Sequence, residues 1–476
     1  MEKKCRFMTA VMSVILAVFS VNILATPVSI NGRLHVTGLQ LMNECGSPVQ
    51  LRGVSTHGLQ WFSSCLTDAS LSFMQTGMGA DIVRIAMYVD EGGYLNNPAG
   101  FTSQVDTLVD KIGALGMYAL IDWHILHPGD PNLHLADART FWEHEATQHK
   151  GKNFVMYEIC NEPNNTSATI VNNAYVNLTY TVNWAVIKSY ADDIIPRIRA
   201  LDPDAVIICG TPNYSKLDAT IATNPLNYPN VMYTFHFYAA THPLTNLTNY
   251  VGLTGALPIF CTEWAATASS GTGTLDLVKA ASFIDIMSGN NLAGEKISWC
   301  SWSFADKPQS QETSAMLLDN TCSGGVYDVS HLSPEGNFVM QNCLNPAKNF
   351  MCGTSTITPT FTVTLTPTIT PTPNPKVVKV TECRSFPNPT TGDKVTFQYT
   401  ITGIAEKLEI NVYTFGERKI YSTVKTTVKE GTHTELWIPT TRLANGLYYY
   451  TIAGTNGTNV SRHVEAFFVQ RQIPTP

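Results

Sequence analysis

Charge is scarce in this chain. Of its 476 residues only 14% are Asp, Glu, Lys or Arg, the net charge is -7, and no basic run occurs. The footprint of a nucleic-acid-binding protein is missing, so no nucleic-acid partner is expected. No Cys-x-x-Cys spacing occurs, which argues against a zinc site. No Gly-x-Gly-x-x-Gly turn follows the first strand-like run. That weakens the case for a doubly wound, dinucleotide-binding sheet. Neither a metal nor a cofactor is expected. Beyond the N-terminus no segment is long and apolar enough to span a membrane.

At the N-terminus, Lys3, Lys4 and Arg6 precede an apolar run from Phe7 to Leu24, and Ala25 offers a small residue for cleavage. Residues 1–25 are read as a secretory signal, which implies an extracellular or surface location with no membrane span after cleavage. Eleven cysteines occur. Cys160, Cys209, Cys261 and Cys300 lie within apolar runs and read as small buried hydrophobes. Cys45, Cys65, Cys322, Cys343, Cys352 and Cys383 lie in polar or loop-like context, where one or two disulfides fit export. Seven of the eight tryptophans fall between Trp61 and Trp302. They either fill a core or stack on the faces of an uncharged polymer such as a polysaccharide.

Eight apolar runs mark the first 345 residues: Val49 to Ser55, Asp81 to Met87, Met117 to Trp123, Phe154 to Cys160, Ala205 to Gly210, Val231 to Tyr238, Pro258 to Trp264 and Ile297 to Phe304. Helix-like segments lie between most of them. Continuous apolar strands separated by helices imply a parallel sheet buried on both faces. Eight units predict an α/β fold, a (β/α)8 TIM barrel over residues 26–352.

Two of these runs lead to glutamates, in Asn161-Glu162-Pro163-Asn164 and in Thr262-Glu263-Trp264. A buried carboxylate is costly without a partner. Two at strand ends fit glycoside hydrolysis, in which one acts as acid/base and the other as nucleophile. Alternation along regular strands puts Glu158, Cys160 and Glu162 on one face, Cys261 and Glu263 on another, and His236 with Tyr238, Asp122 with His124, and Cys300 with Trp302 on others. With Arg84 and Ala86 sharing a face of the second, six strands then deliver a polar or aromatic side chain to the C-terminal rim, where barrel active sites form. Arg84 can hold one carboxylate ionised or pair with Glu158 or Asp122 in the core. Asn161, His124 and His236 can bond sugar hydroxyls or orient carboxylates. Tyr238 can donate to the nucleophile, and Trp302 and Trp61 can stack on sugar rings. Glu158, one layer deeper, reads as structural.

Residues 353–376 carry Thr at every even position from Thr354 to Thr372, interleaved with proline. Those prolines cannot donate to a ladder, so an extended linker is expected. Residues 377–470 alternate in the manner of strands, with turn signals at Thr402-Gly403, Asn445-Gly446 and Asn456-Gly457. A small all-β, immunoglobulin-like sandwich is expected there, followed by a tail at 471–476.

These residues resemble glycoside hydrolase family 5, most closely its bacterial endo-β-1,4-glucanases. The resemblance runs from about Val28 to Leu344 and includes Leu51 to Trp61, Val83 to Tyr88, Ile121 to Leu126, Asn161 to Asn164, His236 to Ala239, Thr262 to Trp264 and Ile297 to Trp299. It implies a retaining mechanism without a cofactor, Glu162 as acid/base and Glu263 as nucleophile. It assigns Arg84, His124, Asn161, His236, Tyr238 and Trp302 to the surroundings of the cleaved bond, and His57, Trp61, Tyr88 and Lys307 to the glycone subsites. Pro308-Gln309 follows Lys307 where similar enzymes often carry an acidic residue, which puts the sugar contacts at that edge in question. The C-terminal region, with Phe386 to Gly392 and Leu443 to Tyr448, is similar to sorting domains of type IX secretion, implying secretion or cell-surface machinery as a partner.

The expected function is a secreted, monomeric endo-β-1,4-glucanase acting on cellulose or related β-glucans. The competing readings are the same mechanism on mannan, xylan or xyloglucan, a surface polysaccharide-binding protein without turnover, and a metal-dependent hydrolase using His57, His124 and His236.

Overall fold

The computed structural model describes residues 25–165, 168–171, 174–177, 181–251, 257–291, 294–344, 378–386, 394–414, 418–439, 443, 446–457 and 459–469. The expected signal, linker and tail lie outside these, apart from Ala25. The chain divides into two compact units at Ile357/Thr358.

In the first unit eight parallel strands close into a barrel. They are β1 (Arg52–Thr56), β2 (Ile82–Tyr88), β3 (Tyr118–His124), β4 (Val155–Glu158), β5 (Val206–Cys209), β6 (Val231–Tyr238), β7 (Ile259–Ala265) and β8 (Trp299–Phe304). Every residue of these strands is buried, which is why their sequences read as unbroken apolar runs. The outer ring includes α1 (Asp68–Thr76), α2 (Pro98–Ala114), α3 (Leu135–Gln148), α4 (Trp184–Leu201), α5 (Leu277–Met287) and α6 (Pro334–Cys343). Local sequence starts them. Pro98 opens α2 and the Asn97 side chain accepts from Gly100 N, while Val105, Leu108, Val109 and Ile112 bury one stripe.

The barrel interior is layered. At its floor Leu51, Ile82, Leu120, Met156, Ile208, Met232, Phe260 and Cys300 pack together, closed by Leu34 and Leu41 from the N-terminal segment. Above this apolar plug lie Arg84, Asp122, Glu158, Thr234 and Thr262, all fully buried. The plug keeps water out from below, so the polar groups must satisfy one another.

Two parity expectations fail. The fourth strand ends at Glu158, not Cys160, and Cys160 packs in the outer core. On β7 the register shifts between Cys261 and Trp264. Cys261 faces the outer core, while Thr262 and the adjacent Glu263 both bond partners inside the barrel. The tryptophans are mostly structural: Trp123, Trp142, Trp264 and Trp299 are fully buried and Trp184 nearly so.

Cys65 and Cys322 form a disulfide, joining segments 257 residues apart. Cys45 is also disulfide-bonded. Cys343 and Cys383, read from sequence as loop-like, are buried. Among the described residues, no helix is long and apolar enough to cross a membrane.

The second unit contains β9 (Lys379–Phe386), β10 (Val395–Thr402), β11 (Ala405–Thr414), β12 (Lys419–Val428), β13 (Gly431–Trp437), β14 (Gly446–Asn456) and β15 (Asn459–Val469). They form two antiparallel sheets, β9-β10-β13 and β12-β11-β14-β15. One core joins them, with Phe397 against Tyr450 at a ring separation of 4.4 Å. Gly457, at φ 57°, turns β14 into β15, as the Asn-Gly pair predicts.

Candidate active site

Glu263, on β7, is 4% exposed. It receives the Tyr238 hydroxyl at Oε1 (2.7 Å) and Arg84 Nη1 at Oε2 (3.0 Å). Both of its oxygens thus accept from side-chain donors, one of them charged. Arg84, on β2, also bonds Glu158 Oε2 at 2.7 Å, Asp122 Oδ2 at 2.9 Å and Asn161 Oδ1 at 2.6 Å. Burial alone would lower its pKa, but Asp122, Glu158 and Glu263 outweigh that and raise it well above the usual value. One guanidinium therefore reaches the core carboxylates and Glu263 together.

Glu162 lies beyond the end of β4, on an irregular segment held at several points. Its N–H donates to the Ile125 carbonyl and that of Asn161 to the Trp123 carbonyl. From the segment after β5, Ser215 Oγ donates to the Asn161 carbonyl at 2.5 Å, and Tyr214 N–H donates to the Pro163 carbonyl. Asn213, Tyr214 and Ser215 all adopt left-handed φ, between 52° and 63°. Three consecutive non-glycine residues in that region are strained, and they buttress the Glu162 loop. The Tyr214 ring is 37% exposed there. No periodic signal in the sequence marked it.

The Glu162 carboxyl bonds His236 Nδ1 at 2.9 Å. Burial pushes it up to about 8, with Glu158 adding to the effect and Arg84 and Lys216 opposing it. Burial likewise holds His236 down to about 4 and His124, with help from Arg84, well below its usual value. One carboxylate oxygen each of Glu162 and Glu263 and a His236 ring nitrogen all lie within 4.8 Å of one another. The two glutamates converge, and their surroundings differ: one faces two donors, the other a buried imidazole.

Asn161 Nδ2 reaches His124 Nε2 (3.2 Å), whose Nδ1 bonds Asp122 (2.7 Å). Tyr88 stacks on His124 at 4.1 Å and Trp302 lies 5.4 Å beyond it. Trp61, 46% exposed, stands edge-on to Tyr88 at 5.0 Å. At this edge the sequence reading needs correction. The acidic partner of Lys307 is present as Glu312, bonded at 2.7 Å. Glu312 also accepts from Trp302 Nε1 at 3.2 Å and lies 3.5 Å from His57 Nε2. Burial works against its charge, but His57 and Lys307 hold its pKa down to about 2. All twelve expected residues thus fall in one connected rim network. Among the described residues His57, His124 and His236 do not form a group close enough to share a metal ion; they bond Glu312, Asp122 and Glu162 respectively.

Known proteins bear on this network. The family model described as cellulase (glycosyl hydrolase family 5) matches residues 42–308. The chain belongs to glycosyl hydrolase family 5. Endoglucanase E-5 of Thermobifida fusca is 43% identical over 322 residues, covering 66% of this chain and 64% of that protein. Endoglucanase CelA of Streptomyces lividans is 40% identical, covering 68% of this chain and 67% of its own length. The chain therefore spans about two thirds of these relatives. Among solved structures, the catalytic domain of the Thermobifida fusca endoglucanase in complex with cellotetraose is similar at 41% identity and a TM-score of 0.60, covering 67% of this chain and 99% of that one. A model described as a secretion system C-terminal sorting domain matches residues 384–465. The family 5 match spans all eight barrel strands, and the sorting match spans most of the two antiparallel sheets.

Proposed function

We propose that this family 5 chain is a secreted endo-β-1,4-glucanase that cleaves internal bonds of cellulose or related β-glucans with retention of configuration. The observation that carries this reading is the approach of Glu162 and Glu263 to within 4.8 Å at their nearest oxygens. Retaining enzymes hold their carboxyl groups about 5–5.5 Å apart, whereas inverting enzymes need about 6.5–9.5 Å to admit a water.

Glu263, ionised between Tyr238 and Arg84, attacks the anomeric carbon. Glu162 gives its proton to the departing glycosidic oxygen, so that bond breaks as an ester to Glu263 forms. Water then attacks the anomeric carbon, its proton passes to Glu162, and the bond from that carbon to Glu263 breaks to release the carboxylate. The raised carboxyl of Glu162 suits the proton donor. His124 and Asn161 bond sugar hydroxyls beside the cleaved bond. Trp302 lies under the sugar beside the cleaved bond, Tyr88, Trp61, His57 and Lys307 bind the glycone side, and Tyr214 offers a ring beside the acid loop. The sorting-domain match, the basic-then-apolar N-terminus and the Cys65–Cys322 disulfide support export and surface attachment.

Release of reducing ends from carboxymethyl cellulose tests the reading. Glu162→Gln and Glu263→Gln should each lose at least about a thousandfold in rate, and near-normal turnover in either would end it. A panel including mannan, xylan and xyloglucan decides substrate class. Preference for one of those would move the substrate and keep the mechanism.

A further inference from the structure

We propose that Thr262 and Glu158 are positioning residues that set the ring tautomer of His236 and thereby keep Glu162 in its proton-donating form. The proposal rests on the acid/base reading of Glu162 and deepens it.

Four side chains form an unbroken line through the barrel interior. Glu162 Oε1 lies 2.9 Å from His236 Nδ1, His236 Nε2 lies 2.8 Å from Thr262 Oγ1, and Thr262 Oγ1 lies 2.6 Å from Glu158 Oε1. The far end of the line fixes its direction. Arg84 Nε donates to Glu158 Oε2 at 2.7 Å, and both side chains are fully buried. Arginine offers only donors. Burial raises the Glu158 carboxyl and the Arg84 pair opposes that; with Oε2 receiving Arg84 Nε and Oε1 receiving the Thr262 hydroxyl, Glu158 takes the acceptor role. Thr262 has one hydroxyl proton. Once that proton is given to Glu158, only lone pairs face His236 Nε2. Nε2 must then carry the ring proton, and in a neutral imidazole Nδ1 is left bare. A bare Nδ1 can bond Glu162 only if Glu162 supplies the proton. The carboxyl raised to about 8 and the imidazole lowered to about 4 agree with this direction.

The other charges near the pair do not depend on the Thr262 hydroxyl. Arg84 and Lys216 pull Glu162 toward ionisation. Glu263 favours a charged His236 and Arg84 disfavours it. Asp122, Tyr88, Tyr238, His124 and His242 also feel this pair. All of them remain in a Thr262→Val variant, which keeps the side-chain shape and deletes only the hydroxyl. The ring is then free to place its proton on Nδ1, where it stabilises the Glu162 anion.

The test is the pH profile of kcat/KM on a soluble cello-oligosaccharide. Thr262→Val should move the alkaline limb down by about one pH unit or more, and Thr262→Ser should keep it at the wild-type position. A Thr262→Val enzyme that is slower at every pH with the limb unmoved would overturn the proposal, because the hydroxyl would then serve only packing. Nitrogen-15 NMR of histidine-labelled wild type, assigned with His236→Gln, reads the tautomer without turnover. Protonated Nε2 with bare Nδ1 is expected, and a protonated Nδ1 would overturn the proposal. A wild type inactive on glucans would end the functional reading, and the NMR result would still decide the tautomer.

Discussion

The hydroxyl of Tyr238 donates to Glu263 Oε1 at 2.7 Å, and it is one of two side-chain donors that the carboxylate receives. Tyr238→Phe removes it and leaves Arg84 in place. A hydrogen bond to a charged group is worth about 1.5–3 kcal/mol. The variant should therefore lose about ten- to a hundredfold in kcat, far less than Glu263→Gln. Steady-state kinetics on a soluble cello-oligosaccharide would check this.

Glu162, held up to about 8, must be protonated to donate. Activity should fall as pH rises through about 8. The same shift affects stability. A group whose folded pKa lies above its unfolded value contributes most below the unfolded value, here 4.5, and that contribution is lost as pH rises toward the folded one. Glu162→Gln should therefore melt higher than wild type at pH 9, with the gap closing toward pH 5. Thermal melts across that range would measure it.

Glu312 joins Lys307, Trp302 and His57 at one edge of the cleft. With its pKa held to about 2, it stays charged throughout the working range. Glu312→Gln loosens three side chains proposed to bind sugar and leaves Glu162 and Glu263 untouched. KM for a long cello-oligosaccharide should rise about tenfold with kcat nearly unchanged. A fall in kcat alone would contradict this placement.

The Cys65–Cys322 bridge ties the segment after β1 to the one after β8. Replacing both cysteines by serine should cost about 2–4 kcal/mol of stability and leave turnover at low temperature near normal. Paired denaturation curves would show it.

The barrel was legible because strands buried on both faces leave unbroken apolar runs, and all eight runs became strands. The alternation rule worked on β2, β3 and β6, where the pleat is regular enough to bring Arg84, His124, His236 and Tyr238 to one side. It failed where backbone regularity ends. Glu162 reaches the cleft from beyond β4, and Thr262 and Glu263 both reach inward across the shift on β7. Glu312 went unnoticed because its tie to Lys307 spans five residues of loop. Tyr214 was missed because a left-handed turn leaves no periodicity, although Thr211-Pro212-Asn213 hints at one. In the second unit the alternation is clear on β10, where buried and half-buried residues take turns, and weak on β12. The exposed face of β12 carries Lys, Thr and Ser between half-buried residues, which blurs the alternation.

Proton NMR of the first product released from a cello-oligosaccharide tests the central claim most directly. Two carboxyl groups this close, with Glu263 as nucleophile, predict that the β-anomer appears first and mutarotates later to the α-form. Initial appearance of the α-anomer would mean that water attacks directly, and would contradict the roles given to Glu162 and Glu263.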